Sequence, residues 1–207
     1  MRTLVIDTAT KACSVALFDD DTLIESHYET IGRGHAERLL PFIADFPGRG
    51  KADQIMVNVG PGSFTGIRVG IAASRALGLA WDVHVSGYGC LGLVAAMARA
   101  QTKSSDAVDV AMTGGHGEYF FERFDGNGAS LDHFAALAPE NAARRSTAAL
   151  IAGDAAADLV KERGSGVSFD ILPDAAQWHL VAAVAALPAT PIYGRPPDAK
   201  PGKGMSA

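Results

Sequence analysis

The chain has 207 residues, of which 48% are hydrophobic, 7% aromatic and 20% charged. A chain of this length and composition can bury a sizeable core in one large or two small domains, which excludes disordered and fibrous proteins. Its formal net charge of -5 has the opposite sign to that of a protein that holds a polyphosphate backbone unaided, so we expect no independent binding of bulk nucleic acid.

The strands and helices of the first half follow from short-range patterns. Three short apolar or β-branched runs, at residues 4–6, 14–18 and 23–28, predict a β-meander. A helix is predicted from His35 to Phe46, because apolar residues recur there at i, i+3, i+4 and i+7, and Pro41 should kink it or make it restart. The apolar positions of this helix are Leu39, Phe42, Ile43 and Phe46.

A central strand is predicted at residues 54–59, and the Gly-rich loop 60–62 joins it to a helix from Phe64 to Trp81. That helix is apolar on nearly every side apart from Arg68 and Arg75. We therefore expect it to be buried all round, or buried on one side by its own sheet and on the other by a partner. A strand at 84–85 and a helix at 91–99 repeat the pattern.

The polar stretch 101–106 marks a predicted boundary between two lobes. We assign residues 1–103 to the first lobe, 104–194 to the second, and the Pro-, Gly- and Lys-rich residues 195–207 to a flexible tail. The second lobe is predicted to contain strands at 108–112 and 119–124, a turn at Asn127-Gly128, a helix at 155–163 between an Asp154 cap and Gly164, and an amphipathic helix at 175–187. Strands that first form a meander and then alternate with helices, twice over, predict an α/β protein of two related lobes, in the order of an actin-like, sugar-kinase-like fold.

Two segments of the first lobe are candidates for nucleotide binding. The loop Gly60-Pro-Gly62-Ser63 could hold an anion at the start of a helix, although Ile67 stands where a Walker loop needs lysine. The alternative that we favour is a tight turn with Ser63 or Thr65 as the helix cap. Asp7 could hold magnesium and Thr8 could meet phosphate, but a polar turn closed by a local hydrogen bond is the more common outcome.

The two cysteines, Cys13 and Cys90, lie in apolar runs with no Cys-x-x-Cys or Cys/His cluster, so we predict buried free thiols and no zinc site. His35 has no second histidine one turn away, and His116 lies alone in a glycine-rich turn, so neither forms a metal pair. The apolar run at the N-terminus is too short for a signal peptide, and no stretch reaches the roughly 20 apolar residues of a membrane span. We expect a cytoplasmic protein that contacts no membrane.

The run GPGSFTGIRVG at residues 60–70, continued by IAASRALGLA, closely resembles the signature of the TsaB (YeaZ) family. This family supplies the dimerisation subunit of the bacterial machinery that makes tRNA threonylcarbamoyladenosine. LVIDTAT at 4–10 and HAERLLP at 35–41 fit the same family, and weaker matches lie at 117–120 and 191–195. One departure is Thr113-Gly114-Gly115, where the family usually reads Asp-Ala-Arg.

The resemblance implies an actin-like ATPase (ASKHA) fold with a mixed β-sheet flanked by helices in each lobe. It also implies a non-catalytic subunit that binds and activates the paralogue TsaD, which modifies the anticodon-loop adenosine next to the anticodon. An approximate alignment puts the metal-binding histidine pair of that paralogue at Gly89 and Leu93, whose side chains cannot bind a metal. We therefore expect no metal and no catalytic residue in this chain.

Further partners implied by the resemblance are a TsaE-like ATPase, a second copy of the chain when TsaD is absent, and tRNA only through the complex. No cofactor should bind tightly, although ATP or ADP could lie at the partner interface. The residues expected at that interface are His35, Leu39, Phe42, Ile43, Phe64, Arg68, Gly70, Ser74 and Arg75. The candidate nucleotide-binding residues are Asp7, Thr8, Gly60, Gly62 and Ser63.

Small residues recur at four-residue spacing in Gly66, Gly70 and Ser74 and form a strip along one side of the helix. We expect the Gly70 end of this strip to face the partner, so that Gly70→Leu would leave the chain folded but weaken the complex. The alternative function is an independent actin-like ATPase or small-molecule kinase that uses Asp7 and the Gly60 loop. A metallopeptidase is disfavoured by Gly89 and Leu93.

Overall fold

The computed structural model describes residues 1–184 and 186–194, so the predicted flexible tail at 195–207 lies outside the described residues. The strands are β1 (Arg2–Asp7), β2 (Ala12–Asp19), β3 (Thr22–Thr30), β4 (Gln54–Asn58), β5 (His84–Tyr88), β6 (Val108–Thr113), β7 (Tyr119–Phe124), β8 (Ala135–Leu137), β9 (Leu150–Ala152), β10 (Val167–Phe169) and β11 (Leu187–Pro188). The α-helices are α1 (His35–Asp45), α2 (Phe64–Trp81), α3 (Cys90–Thr102), α4 (Pro139–Arg145) and α5 (Ala156–Arg163), with 3-10 turns at Pro47–Gly50, Gly115–Gly117 and Ala175–Val181.

The two sheets share one strand order. The first sheet runs β11-β5-β4-β1-β2-β3 and the second runs β10-β9-β6-β7-β8. In the first, β1, β2 and β3 are antiparallel neighbours, whereas β1, β4 and β5 are parallel. In the second, β6, β7 and β8 are antiparallel, whereas β6, β9 and β10 are parallel. The five strands of the second sheet thus repeat the order β5-β4-β1-β2-β3 of the first, in which β11 is an additional edge strand. This repeat confirms the predicted α/β fold of two related lobes.

Helices cover both faces of the first sheet, which is why β1 is a nearly continuous apolar run. On one face, Leu4 and Ile6 pack in a buried cluster with residues of α1 and α2. On the other face, Val5 and Phe18 pack with Leu93 of α3 and with the 3-10 turn at 175–181. The central strands of the sheet are therefore covered on both sides, whereas the edge strand β3 and the outward faces of the helices are exposed.

Helix α3 lies between the lobes. Its Leu93 belongs to the cluster on the first sheet, while its Leu91 and Val94 pack with Val110 of the second sheet. The outer face of the second sheet is covered by α4 and α5, with Leu159 fully buried. The lobes therefore share a hydrophobic layer around α3.

Several boundaries differ from the sequence expectation. Helix α1 continues past Pro41 without a restart. The helix predicted at 175–187 is instead a 3-10 turn that ends at Val181, and Asp174 caps it by accepting from the Ala176 amide at 2.9 Å. Strand β11 then pairs with β5, so the chain returns to the first sheet. Residues 187–188, which were predicted to belong to the second lobe of 104–194, are therefore part of the first sheet.

The two cysteines are free and buried, as predicted. Burial raises the pKa of the Cys13 thiol to about 11 and raises the pKa of Cys90 further, so both stay protonated near neutral pH. Within the part of the chain that the structure describes, no helix is both long enough and apolar enough to cross a membrane.

Candidate functional site

The Gly-rich loop between β4 and α2 is a tight turn packed against the β1–β2 connection. Ser63 caps α2, and its Oγ accepts from the Gly66 amide at 3.2 Å. The Ser63 amide donates to the Ala9 carbonyl at 2.7 Å, and the Gly60 amide donates to Asn58 Oδ1 at 2.8 Å. These two amides are used within the lobe, and Ser63 caps α2 as the tight-turn alternative predicted.

Glycine is required at two positions of this loop for different reasons. Gly60 has φ +104, a conformation that residues with a side chain rarely adopt, and a Cβ there would lie 2.6 Å from the carbonyl oxygen of Ile192. A Cβ on Gly62 would overlap the carbonyl group of Ala9. The glycines of the signature therefore let three segments of backbone approach closely.

Asp7 ends β1 as a fully buried carboxylate with three hydrogen-bond donors around it. Its Oδ1 accepts from the Ala9 amide at 3.1 Å, and its Oδ2 accepts from Asn58 Nδ2 at 2.6 Å and Tyr88 Oη at 3.0 Å. Desolvation raises the pKa of Asp7 to about 7, against the opposing effect of these donors. Thr8 is also buried, and its hydroxyl donates to the Gly66 carbonyl at 2.7 Å. Both side chains hold β1 to its neighbours.

The cleft between the lobes encloses a cavity of about 760 Å³. Among the predicted nucleotide-binding residues, Gly62 and Ser63 line this cavity, whereas Asp7, Thr8 and Gly60 do not. Its walls are residues 9–11, Gly32 and residues 61–64 of the first lobe, 112–116 with Phe120 and Asp154 of the second lobe, and Tyr193 with Gly194. The departure from the family pattern at 113–115 thus lies on the wall of the cleft.

An ion pair crosses this cleft. Lys11 Nζ lies 3.4 Å from Asp154 Oδ2, and Asp154 Oδ1 accepts from the Thr113 amide at 2.8 Å. The prediction that Asp154 caps α5 is therefore wrong, because Ala155 occupies the cap position and makes no side-chain cap bond. The predicted stop at Gly164 is confirmed, since Gly164 ends α5 with φ 76.

A second cavity of about 860 Å³ lies beside α3, β7 and residues 178–184 and 186–192. Gly89 at the N-terminal cap of α3 and Gly92 within the helix line it, and Phe124 and Glu122 line it from β7. Burial raises the pKa of Glu122, whose Oε1 accepts from the Ser130 hydroxyl at 2.6 Å. Gly89 lies on this cavity wall, and a Cβ added there would meet nothing within 4 Å.

The predicted interface residues on α1 are part of the core. His35, Leu39, Phe42 and Ile43 are buried against the first sheet. His35 Nε2 lies 2.9 Å from the Thr10 carbonyl and 3.2 Å from the Ala12 carbonyl, and two acceptors require that this nitrogen donates. Their i, i+3, i+4 spacing marks the face of α1 that its own sheet covers. The exposed apolar residues of α1 are Ala36, Leu40, Pro41 and Ala44.

The small-residue strip of α2 also faces inward, contrary to the prediction. Gly70 and Ser74 are buried, and a Cβ on Gly70 would lie 2.5 Å from Thr8 Oγ1 and 3.3 Å from Val57 Cγ2. The strip therefore lets α2 approach its own sheet, and Gly70→Leu would disrupt the lobe rather than only the complex. The exposed positions of α2 form the opposite face and include Phe64, Arg68, Ala72, Arg75, Ala76 and Leu79.

Three side chains meet where α2 begins, in what we call the arginine cluster: Phe64, Arg68 and Tyr193. Arg68 Nε donates to Tyr193 Oη at 2.8 Å, and the guanidinium carbon lies 3.6 Å from the centre of the Phe64 ring. Further along α2, Arg75 Nη2 donates to the Ala189 carbonyl at 2.8 Å. Phe64 and Arg68 were among the predicted interface residues, but sequence reasoning missed their contact with Tyr193, although the match at 191–195 contained that residue.

The described residues hold no group of three or more His, Cys, Asp or Glu side chains that could bind a metal ion. Two lobes with one repeated strand order around a shared cleft define a protein of the actin-like class. The sequence matches the family model described as TsaD, tRNA N6-adenosine threonylcarbamoyltransferase, over residues 27–185.

Two curated relatives are named tRNA threonylcarbamoyladenosine biosynthesis protein TsaB. The chain is 36% identical to the one from Escherichia coli over 62% of this chain and 58% of that protein. It is 30% identical to the one from Bacillus subtilis over 48% of this chain and 45% of that protein. The sequence match thus spans less than two thirds of the length of these curated relatives.

The solved structure of YeaZ from Pseudomonas aeruginosa matches with a TM-score of 0.79 and 28% identity, over 93% of this chain and 99% of that chain. The chain therefore belongs to the TsaB/YeaZ family, within the broader family that the TsaD model describes.

Proposed function

We propose that this protein is a subunit of the machinery that makes threonylcarbamoyladenosine in tRNA. On this proposal it binds and activates a TsaD-like partner and does not itself catalyse the transfer. The observation that carries the proposal is the likeness to YeaZ over 93% of this chain, together with the names of the TsaB relatives. A TsaE-like ATPase, a homodimer in the absence of TsaD, and contact with tRNA through the complex belong to the same proposal.

The surroundings of Asp7 support a non-catalytic role. A catalytic strand-end aspartate must present an oxygen to a metal ion or a substrate. Both oxygens of Asp7 instead accept bonds from Ala9, Asn58 and Tyr88 in a site closed to solvent. A nucleotide that binds the complex is therefore better placed at the partner interface than on this carboxylate.

The outer faces of α1 and α2 support a docking role. Leu40 of α1 is 52% exposed and Leu79 of α2 is 87% exposed. Several alanines of both helices are also exposed. Exposed apolar residues on neighbouring helices are typical of surfaces that bind another protein. The proposed partner surface thus lies on the two helices that were predicted to form it. It is made by their exposed faces, whereas most of the predicted interface residues are on the buried faces.

Reconstitution tests the proposal directly. The purified chain would be combined with the TsaD-like and TsaE-like proteins of the same genome, the adenylate-forming enzyme, threonine, bicarbonate, ATP and unmodified tRNA. Nucleoside mass spectrometry should detect threonylcarbamoyladenosine in the complete mixture and lose it when the chain is omitted. Formation of the product with the chain omitted, or by the chain without the TsaD-like protein, would contradict the proposal.

The rival kinase or ATPase predicts a different result. We expect the pure chain to turn over no ATP above a blank, because Asp7 offers no open position for a metal. Phosphate release would measure ATP turnover by the parent chain and by Asp7→Asn. Turnover by the parent that is absent in Asp7→Asn would favour the kinase or ATPase.

Leu79→Arg should weaken binding to the TsaD-like partner by at least about tenfold, because a charged side chain would replace an apolar contact at the proposed surface. The side chain is 87% exposed, so the melting temperature should stay within a few degrees of the parent. Val167→Arg is the matched control, since Val167 is 65% exposed but lies in β10 of the second lobe. Titration calorimetry of both variants decides, and equal affinities would remove α2 from the interface.

A further inference from the structure

The arginine cluster holds a guanidinium in one position on the surface of the protein. Arg68 is exposed, yet it stacks on Phe64 and bonds to Tyr193 Oη, and the two aromatic rings lie 4.9 Å apart. A long side chain normally loses rotamer freedom when it binds a partner. Here that freedom is already restricted before any partner arrives.

The bond to Tyr193 uses one of the five N–H groups that a guanidinium carries. Over residues 1–184 and 186–194, the structure gives Nη1 and Nη2 of Arg68 no acceptor. Arg75, by contrast, bonds through Nη2 to the Ala189 carbonyl. Arg68 therefore offers the pair of terminal nitrogens whose planar arrangement suits a carboxylate.

The charge of α2 favours an acidic ligand. Residues 64–81 include two arginines and no aspartate or glutamate, in a chain whose formal net charge is -5. The other exposed residues of the helix are Phe64, Thr65, Leu79 and three alanines. An apolar face with a few fixed arginines is typical of a protein interface, whereas a surface that holds a phosphate backbone carries several basic residues side by side.

We propose that the arginine cluster anchors an aspartate or glutamate side chain of the TsaD-like partner, which rests on the proposed function above. Arg68 binds the carboxylate through Nη1 and Nη2, and Phe64 and Tyr193 are positioning residues. Segment 187–194 is then part of the docking surface. It is tied to the first lobe by the pairing of β11 with β5 and by the Ile192 amide, which donates to the Val59 carbonyl at 2.7 Å.

The test measures binding of the full chain to the TsaD-like protein of the same genome by titration calorimetry. Arg68→Gln should weaken binding at least about tenfold, or about 1.4 kcal/mol. Arg68→Lys should recover only part of this loss, because lysine keeps the charge without the planar fork. Tyr193→Phe should also weaken binding, since it removes only the hydroxyl that orients Arg68. Arg144→Gln, at an exposed position in α4 of the second lobe, should bind like the parent.

Charge reversal identifies the ligand. Arg68→Glu should abolish binding to the wild-type partner. One Asp→Arg or Glu→Arg variant of the partner should bind Arg68→Glu at least tenfold more tightly than the wild-type partner does. The inference would be overturned if Arg68→Gln bound the partner as tightly as the parent, or if no partner variant restored binding. In either case, binding by the wild-type chain would leave the proposed function intact. If the Arg68 variants bound the partner normally but their complex bound tRNA more weakly, Arg68 would be assigned to a tRNA phosphate, and the inference would be overturned as well. Failure of the wild-type chain to bind the partner would contradict both.

Discussion

Gly66→Ala should destabilise the first lobe by about 3 kcal/mol, although alanine is the better helix former. Gly66 lies in the first turn of α2, and an added Cβ would overlap the carbonyl oxygen of Thr8 and lie 3.4 Å from the Ser63 Cβ. That carbonyl belongs to backbone held between β1 and β2, so it cannot move without shifting the sheet. The same contact includes the bond that Thr8 Oγ1 donates to the Gly66 carbonyl at 2.7 Å.

Urea denaturation followed by circular dichroism would measure this loss. The control is Gly115→Ala, because a Cβ at Gly115 meets nothing within 4 Å and the residue has no positive φ. We expect the control to lie within about 0.5 kcal/mol of the parent. A Gly66→Ala protein as stable as the control would show that α2 can move away from the sheet, and would reopen the possibility that the small-residue strip serves a partner.

The contribution of Asp7 to the free energy of unfolding should decrease as the pH rises. The pKa of this carboxyl is 3.8 in an exposed chain and about 7 in the folded protein, so the folded state binds its proton more tightly. The stabilising contribution is therefore complete below pH 3.8 and is lost as the pH rises through about 7. One pKa unit corresponds to about 1.4 kcal/mol, so the whole effect is about 4 kcal/mol.

Asp7→Asn isolates this effect, because its amide does not titrate and has nearly the same shape. The free energy of unfolding of the parent minus that of the variant should decrease by about 2.5 kcal/mol between about pH 5 and about pH 8.5. Burial also raises the pKa of Asp174 and of Glu122, but these carboxyls are present in both proteins and cancel in the difference. A difference that is constant with pH would mean that Asp7 is ionised in the folded protein throughout this range.

Much of the first lobe could be predicted from short-range pattern. The three strands of the meander, helices α1 and α2, and the Ser63 cap depend on apolar period and on bonds between residues a few positions apart. Such signals are local, so they survive in the sequence without knowledge of the fold. The short strands β8 and β9 and helix α4 were missed, because runs of three to seven residues carry too little period to detect.

The errors at the candidate site have one physical cause, which is that an apolar or small-residue stripe marks a covered face without identifying what covers it. Leu39 and Gly70 were expected to meet a partner, but their own sheet lies against them. Asp7 was a candidate for magnesium, with a locally bonded turn as the favoured alternative. The local bond from the Ala9 amide is present, and Asn58 and Tyr88 add donors from positions 51 and 81 residues away. The composition and the motifs thus sufficed for the family and the repeated α/β architecture, since both depend on local order along the chain. Which side chains are sealed in the core and which, like Arg68 beside Tyr193, remain available at the surface depended on contacts between distant segments, and those form only when the sheets close.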